Sequence, residues 1–316
     1  MRIKLRPNIM DFTLDTLKSL LRTLKDSGYT FRTVRDISGD RVMVSGRSLI
    51  LRHDIDKYPQ NALACAAMET TLGIAGTYYF RVIPGCFDRR IIQEISLMGH
   101  EIGYHYEDLD FAGRKSGMLT GLRRISFNEC LARNAFNNFT NNLEKMRRLA
   151  TVTTACMHGS PLSSLDSRLI WKHYDYRELG IVCEPYFDIN LDDFLYLTDT
   201  GRRWDGESVS VRDRVYSREE GYYSDWVRKP VKGSAMDAGA EGMEMRKRYS
   251  YRSTTEIIMA VRKGSFPGRV LITIHPQRWS MNFSQWVGEL VGQKLKNAAK
   301  FFLTKNQKGY AAISFK

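Results

Sequence analysis

Three short segments of the chain place aspartate or histidine directly after a run of apolar, often β-branched residues. They are Leu51 to Asp56, Gly99 to His105 and Ile272 to Pro276. Buried parallel strands have such apolar runs, and their ends deliver ligands and acid or base groups to the rim of the sheet. Aspartates and histidines gathered at one rim can hold a divalent cation and transfer protons. The pattern therefore predicts a metal-dependent hydrolase.

Asp54 and Asp56 stand two residues apart, just beyond the end of the first predicted strand. The backbone there can direct one carboxylate at a metal ion and leave the other to accept a proton from water. An isolated Asp-x-Asp is also common in turns, because aspartate hydrogen-bonds to its own backbone. Taken alone, the pair leaves both interpretations open.

Three histidines follow other predicted strands. A neutral imidazole at His105 suits zinc or a similar divalent ion, and Glu107 lies within reach of the same ion or is an ordinary surface glutamate. His158 can orient Asp54, complete the metal shell or cap its strand. His275 ends the last clearly predicted strand. It is either a candidate proton donor to a leaving amine or a core histidine with a purely structural role and satisfied hydrogen bonds.

The elements that position these residues alternate along the chain, as in a parallel α/β sheet. We predict helices over Phe12–Asp26, Asn61–Leu72, Arg89–Met98 and Phe127–Leu149. We predict strands at Ser48–His53, Gly76–Val82, the segment leading to His105, Thr151–Met157, Ile181–Glu184, Phe194–Leu197 and Val270–His275. About seven strands, each followed by a loop or helix, indicate an α/β fold with a distorted (β/α) barrel more than an open doubly wound sheet.

The chain is long enough for one large domain, since 316 residues with 43% apolar content can bury a sizeable core. We take residues 1–316 as a single domain with a helical lead-in over 1–47. Residues 200–252 show little periodicity and predict a long loop or lid. Near the C-terminus, the apolar face of a lysine-bearing helix comprises Trp286, Val287, Leu290, Val291, Leu295, Ala298 and Phe302. That face predicts docking on the barrel, with peripheral membrane contact as the alternative.

Composition argues against several classes of protein. No stretch approaches the about 20 uninterrupted apolar residues of a membrane span, and no apolar run follows the basic N-terminus. Five scattered cysteines fit neither a disulfide framework nor a zinc ribbon, so we expect a cytoplasmic protein. The net charge of +13 suits an anionic partner, although dispersed basic residues also describe a solvated surface. Nucleic acid is a poor candidate partner because no recognition fold is apparent.

Five motifs occur in a specific order along the chain. They are His-Asp-Ile-Asp at 53–56, Gly-Thr-Tyr-Tyr-Phe-Arg at 76–81, Gly-His-Glu-Ile-Gly-Tyr-His at 99–105, His-Gly-Ser-Pro at 158–161 and Ile-His-Pro at 274–276. This order resembles the polysaccharide deacetylase superfamily, the NodB-like enzymes of carbohydrate esterase family 4. The resemblance implies a distorted β/α barrel and metal-dependent removal of an acyl group, usually acetyl, from an amide on a sugar.

The resemblance also implies a role for each matching residue. Asp54 falls where the family has its catalytic base, and Asp56 matches the metal-binding aspartate of members with Asp-x-Asp. His105 matches the first histidine ligand. His275 matches the histidine of the final motif, which acts as the general acid.

The chain departs from the family pattern at two places. The second ligand histidine normally follows four residues after the first, and that position is Leu109, which cannot bind a metal. The arginine-bearing motif that normally braces the base is absent, since His158 occupies its approximate place. The shell of the metal, which we expect to be zinc, would then be completed by Glu107, His158 or water.

Residues 196–204 and 275–279 resemble a little-characterised bacterial branch of the superfamily that is associated with surface polysaccharide assembly. We therefore expect a nucleotide- or lipid-linked amino sugar as substrate, in a role such as O-antigen biosynthesis. One alternative is a glycosyltransferase in which Asp54 and Asp56 bridge a metal to a nucleotide-sugar diphosphate. Another is a non-catalytic carbohydrate-binding protein on a degenerate scaffold, suggested by Leu109. A deacetylase needs His105 near the aspartates, whereas a transferase of this kind gives His105 no role.

Overall fold

The structure is a computed structural model that describes residues 10–38, 46–115, 127–159, 166–190, 193–204 and 249–292. The strands are β1 (Thr30–Arg32), β2 (Ser48–Ile55), β3 (Thr77–Phe80), β4 (Glu101–Tyr106), β5 (Val152–Met157), β6 (Leu195–Thr198) and β7 (Arg269–Ile274). The helices are α1 (Leu14–Asp26), α2 (Pro59–Thr71), α3 (Arg89–Leu97), α4 (Asp108–Lys115), α5 (Glu129–Arg147), α6 (Pro185–Asp188), α7 (Thr254–Arg262) and α8 (283–292).

The seven strands form one sheet in the order β5-β4-β3-β2-β7-β6, and β1 pairs with the N-terminal half of β2. All pairings between these strands are parallel. Their carboxyl ends therefore share one edge of the sheet, which is where ligands bind in parallel α/β folds. Because β2 lies between β3 and β7, the residues that follow β2 lie at the middle of that edge.

The sheet is curled around a small interior. Side chains alternate along each strand between this interior and the covering helices. One buried cluster joins Ile50 of β2, Tyr79 of β3, Cys156 of β5 and Leu271 of β7 with Phe194, the residue before β6. Since β5 and β6 are the two ends of the strand order, a shared cluster means that the sheet edges bend toward each other. The fold is the α/β architecture with seven parallel strands that the sequence predicted, curled into a distorted barrel.

The long helices α1 and α5 cover outer faces of the sheet, because each presents an apolar stripe to it. Helix α1 buries Leu17, Leu20, Leu21 and Leu24, which have the spacing of a single helical face. The Thr13 side chain caps this helix by accepting a hydrogen bond from the Thr16 backbone N–H. Helix α5 packs Phe139, Leu143 and Met146 into a separate cluster with β4 and β5.

The seventh strand is not the one that the sequence predicted. The segment Ile181–Glu184 makes only an isolated bridge from Cys183 to Thr154, because Pro185 directly opens α6. Strand β1 lies in the predicted helical lead-in and pairs with β2, so the sheet still has seven strands. Helices α4, α6 and α7 were also not predicted. Residues 205–248 of the predicted lid lie outside the described residues.

The predicted C-terminal helix is described only as far as residue 292, so Leu295, Ala298 and Phe302 lie outside the described residues. Trp286 docks on the body of the protein, where its indole N–H donates to the Asp11 carbonyl at 2.6 Å. Val287 and Val291 of the same predicted face are 38% and 53% exposed. Within the described ranges, no helix is both long and apolar enough to cross a membrane.

Candidate active site

The two-residue repeat of the strands brings the predicted site residues together. Ile50 faces the interior of the barrel, so Arg52 and Asp54 follow it on the same side of β2. Leu271 of β7 faces the same interior. His275 lies four residues later, just past the end of β7, so its side chain is on the same side of the sheet. The carboxyl edge of the barrel therefore collects side chains from strands that are far apart in the sequence.

Asp56 is the meeting point of three imidazoles. Its Oδ1 lies 3.5 Å from His158 Nε2 and 3.7 Å from His105 Nε2, and its Oδ2 lies 3.9 Å from His275 Nε2. Gln277 Nε2 donates to Oδ2 at 3.2 Å, whereas Oδ1 is buried with no hydrogen-bond partner among the described residues. The structure thus brings Asp56 and the three predicted histidines into one cluster.

Asp54 is held by an arginine on its own strand. Nε and Nη2 of Arg52 donate to the two carboxylate oxygens at 2.7 and 2.6 Å, and His105 Nε2 lies 3.7 Å from Oδ2. Burial acts to raise the pKa of Asp54, but the Arg52 charge and hydrogen bonds outweigh it and hold that pKa well below its usual range. Arg52, two residues upstream, thus braces the candidate base, which the sequence motifs did not provide for.

His105 presents a neutral nitrogen to both aspartates. Its Nδ1 lies 2.9 Å from the Cys156 carbonyl oxygen, which can only accept, so Nδ1 carries the proton and Nε2 is left unprotonated. Burial lowers the pKa of His105 to about 4, although Asp54 acts in the opposite direction. The ring is therefore neutral at physiological pH, as a metal ligand must be.

Glu107 contacts Arg81 and His158. Arg81 Nε and Nη2 each donate to one of its carboxylate oxygens at 2.7 Å, and Arg81 Nη1 donates to the Asp56 carbonyl at 3.3 Å. His158 Nδ1 lies 3.2 Å from Glu107 Oε2, but the two atoms are not aligned as a hydrogen bond. Burial acts to raise the pKa of Glu107, while His158 and Arg81 lower it to a net value below the usual one.

His275 is oriented by Asp199, a residue that the sequence did not single out for the site. Asp199 follows β6 directly, is fully buried, and lies 2.6 Å from His275 Nδ1 through Oδ1. It also accepts from the His275 backbone N–H, from Arg278 Nη1 at 2.6 Å and from Trp279 Nε1 at 2.7 Å. Burial and Arg278 act to lower the pKa of His275, but Asp199 and, to a smaller extent, Asp56 raise it, so the net pKa is above its ordinary value.

The cluster around Asp56 is close to the dimensions of a metal site. In the described part of the chain, no group of three or more His, Cys, Asp or Glu side chains that could hold a metal ion is found at the distances as they stand. A tetrahedral zinc ion with bonds of about 2.0–2.1 Å separates its ligands by about 3.3–3.4 Å. The distances of 3.5 and 3.7 Å from Asp56 Oδ1 to His158 and His105 are only slightly longer. Because Oδ1 also lacks a hydrogen-bond partner among these residues, a small contraction would bring it and the two imidazoles toward the spacing of zinc ligands.

Comparison with known proteins finds no family model, no curated protein and no solved structure that matches this chain. The assignment to the polysaccharide deacetylase superfamily therefore stays a prediction. It depends on the order of the motifs in the sequence.

Proposed function

We propose that this protein is a metal-dependent hydrolase that removes an acyl group, most simply acetyl, from the nitrogen of an acylated amino sugar. The observation that supports this best is the position of His105 Nε2, 3.7 Å from both Asp54 Oδ2 and Asp56 Oδ1. A carboxylate base, a carboxylate ligand and a neutral imidazole ligand thus share one space at the carboxyl edge of the barrel.

Asp56 and His105 would hold the cation, with zinc as the expected ion. A divalent cation bound there supplies polarisation of the acyl carbonyl and acidification of water. Asp54 lies beside the same space and accepts the proton of the attacking water. Its pairing with Arg52 keeps the carboxylate ionised at physiological pH and in one orientation. The same pairing lowers the affinity of this carboxylate for a proton.

His275 would deliver a proton to the departing nitrogen. Asp199 holds the Nδ1 side of the ring, so that Nε2 faces Asp56 and the reaction space. The carboxylate also stabilises the protonated ring, which is the form that a general acid requires. Asp54 as base and His275 as acid would then lie next to the proposed metal ligands.

The geometry favours hydrolysis over the two alternatives. A glycosyltransferase that binds a nucleotide-sugar diphosphate through Asp54 and Asp56 has no use for His105, which instead lies against both carboxylates. A non-catalytic binding scaffold has no use for a histidine, His275, that is held by the buried carboxylate of Asp199. For the substrate we propose a nucleotide- or lipid-linked amino sugar of surface polysaccharide assembly, which suits the net charge of +13.

The two aspartates provide the test. Asp56→Ala should abolish retention of zinc, nickel, iron or cobalt, measured by elemental mass spectrometry of the purified full-length protein. Asp54→Ala should retain the metal but stop acetate release from acetamido nucleotide sugars such as UDP-N-acetylglucosamine. Equal metal loss in both variants would refute the division of roles. A wild-type protein without stoichiometric metal would support the binding scaffold instead.

A further inference from the structure

We infer that His158 is the third protein ligand of the metal, and that Glu107 positions the His158 ring instead of binding the metal. This inference rests on the proposed function and deepens it. The sequence patterns placed Glu107 among the metal ligands and left three roles open for His158. The contacts around the two residues separate these roles.

The first argument is the position of His158 relative to His105. Strands β4 and β5 pair with His105 opposite Cys156, and His158 lies two residues beyond Cys156 on the same face. The His158 backbone N–H donates to the Tyr106 carbonyl at 2.8 Å, which ties this segment to the end of β4. The two rings cross at 80° with centroids 5.2 Å apart, and both Nε2 atoms approach the same oxygen of Asp56. Two imidazoles and one carboxylate therefore converge from three directions.

The second argument is the state of the Glu107 carboxylate. Both of its oxygens accept from Arg81 in a bidentate pair, which neutralises the charge that would attract a cation. Its remaining neighbour is His158 Nδ1, at 3.2 Å from Oε2. A carboxylate behind the far nitrogen of a ligand histidine is the usual arrangement around protein-bound zinc, because it fixes the tautomer and direction of the ring. A small rotation of the His158 ring would align that contact.

The third argument is the location of Leu109. This residue lies in the first turn of α4 and is fully buried in the core between the sheet and its helices. The chain turns into that core immediately after Glu107, so the position four residues after His105 does not face the cluster. His158, from the neighbouring strand, takes the open side of Asp56 instead.

Zinc binding by the full-length protein tests the inference independently of activity. After chelation and dialysis, Zn²⁺ is titrated into wild type, His158→Ala, His158→Gln and Glu107→Gln, with the dissociation constants measured by calorimetry against a competing chelator. The control is His173→Ala, which removes an exposed histidine. Circular dichroism of each variant reports whether it is folded, and side-chain ¹⁵N spectra of wild type report which imidazole nitrogens bind Zn²⁺.

The two roles predict different losses. Both His158 variants should weaken Zn²⁺ binding by more than the about 100-fold that removal of an outer partner causes, whereas Glu107→Gln should weaken it about 10- to 100-fold with one site per chain retained. His173→Ala should bind as wild type, and the His158 Nε2 resonance of wild type should shift on binding. Wild-type affinity in folded His158→Gln, or a larger loss in Glu107→Gln than in His158→Ala, would overturn the inference and leave the proposed function standing. A wild type that binds no Zn²⁺ would overturn both.

Discussion

Arg52 and Asp54 form a bidentate ion pair inside the barrel, with nitrogen–oxygen distances of 2.7 and 2.6 Å. Both residues are buried, at 3% and 5% exposure, and they face the same way because they lie two positions apart on one strand. The guanidinium lies 5.4 Å from the Tyr79 ring and 5.8 Å from the Tyr186 ring, so it is held on several sides. The candidate base is therefore oriented by its own strand.

Arg52→Met should raise the pKa of Asp54, because it removes the charge that lowers it while keeping a similar side-chain length. In a pH profile of kcat/KM for acetate release, the acid limb should move to higher pH. The variant should also lose about 3–5 kcal/mol in the free energy of unfolding, measured by urea titration, since a buried carboxylate is left without its partner. Arg90→Met is the control, because the Arg90 side chain is 87% exposed. An acid limb that does not move would show that Arg52 has no electrostatic effect on the base.

Asp199→Asn should lower the pKa of His275, because the Asp199 carboxylate is the largest of the influences that raise it against burial and Arg278. A general acid must be protonated to act, so the alkaline limb of the pH profile should move to lower pH. The maximal rate should fall by about 100-fold or more. Asp188→Asn changes another carboxylate, which accepts from Tyr176 and Arg177, and should leave the alkaline limb in place. An unshifted limb in Asp199→Asn would remove His275 from the role of general acid.

Much of the site could be predicted from the sequence because strand ends are local signals. Asp54, His105 and His275 each follow an apolar run, and parallel strands collect such ends at one edge. Asp199 follows β6 in the same way, but its pairing with His275 depends on β6 lying beside β7 across a long intervening segment, which a local pattern does not reveal. The two-residue spacing of Arg52 and Asp54 was visible in the sequence, and strand alternation would have suggested that they meet.

The parts of the fold that could not be predicted depend on partners distant in sequence. Strand β1 has three residues and no apolar run, and it exists because β2 offers a parallel partner. Cys183 lies beside β5 but makes a single bridge there, since Pro185 ends the extended backbone two residues later. The amino acids in these segments resemble those of loops and strands alike, so local pattern alone cannot separate them.

Glu184 should make the protein less stable as the pH rises through the weakly acidic range. Burial raises its pKa to about 7 from an ordinary value of 4.5, although Arg168 and two backbone N–H donors act against the shift. Between these pH values the folded state keeps a proton that the unfolded state has lost, so the free energy of unfolding falls as the pH rises. The loss should total about 3 kcal/mol.

Urea titrations of wild type and Glu184→Gln between pH 4.5 and 8 measure this effect. The difference between the two proteins isolates the contribution of Glu184, because the other titrating groups are common to both. The Gln variant should lack the decrease that Glu184 causes. Parallel pH dependences in the two proteins would mean that Glu184 is ionised in the folded state throughout this range.

Gly103→Ala should disturb the site through the interior of the barrel. Gly103 faces the buried ring of Tyr79 across the β3–β4 pair, and a Cβ there would lie 2.3 Å from Tyr79 Cε1 and 2.4 Å from Cδ1. The ring would have to move, and it packs against the Arg52 guanidinium that orients the base. Overpacking of this kind costs about 1–3 kcal/mol of stability, and a displaced Arg52 should also lower kcat for acetate release.

Gly268→Ala is the matched control, because a Cβ at this exposed position has no described atom within 4 Å. If Gly103→Ala matched Gly268→Ala in both urea stability and kcat, the close packing of Tyr79 would have no part in positioning the base.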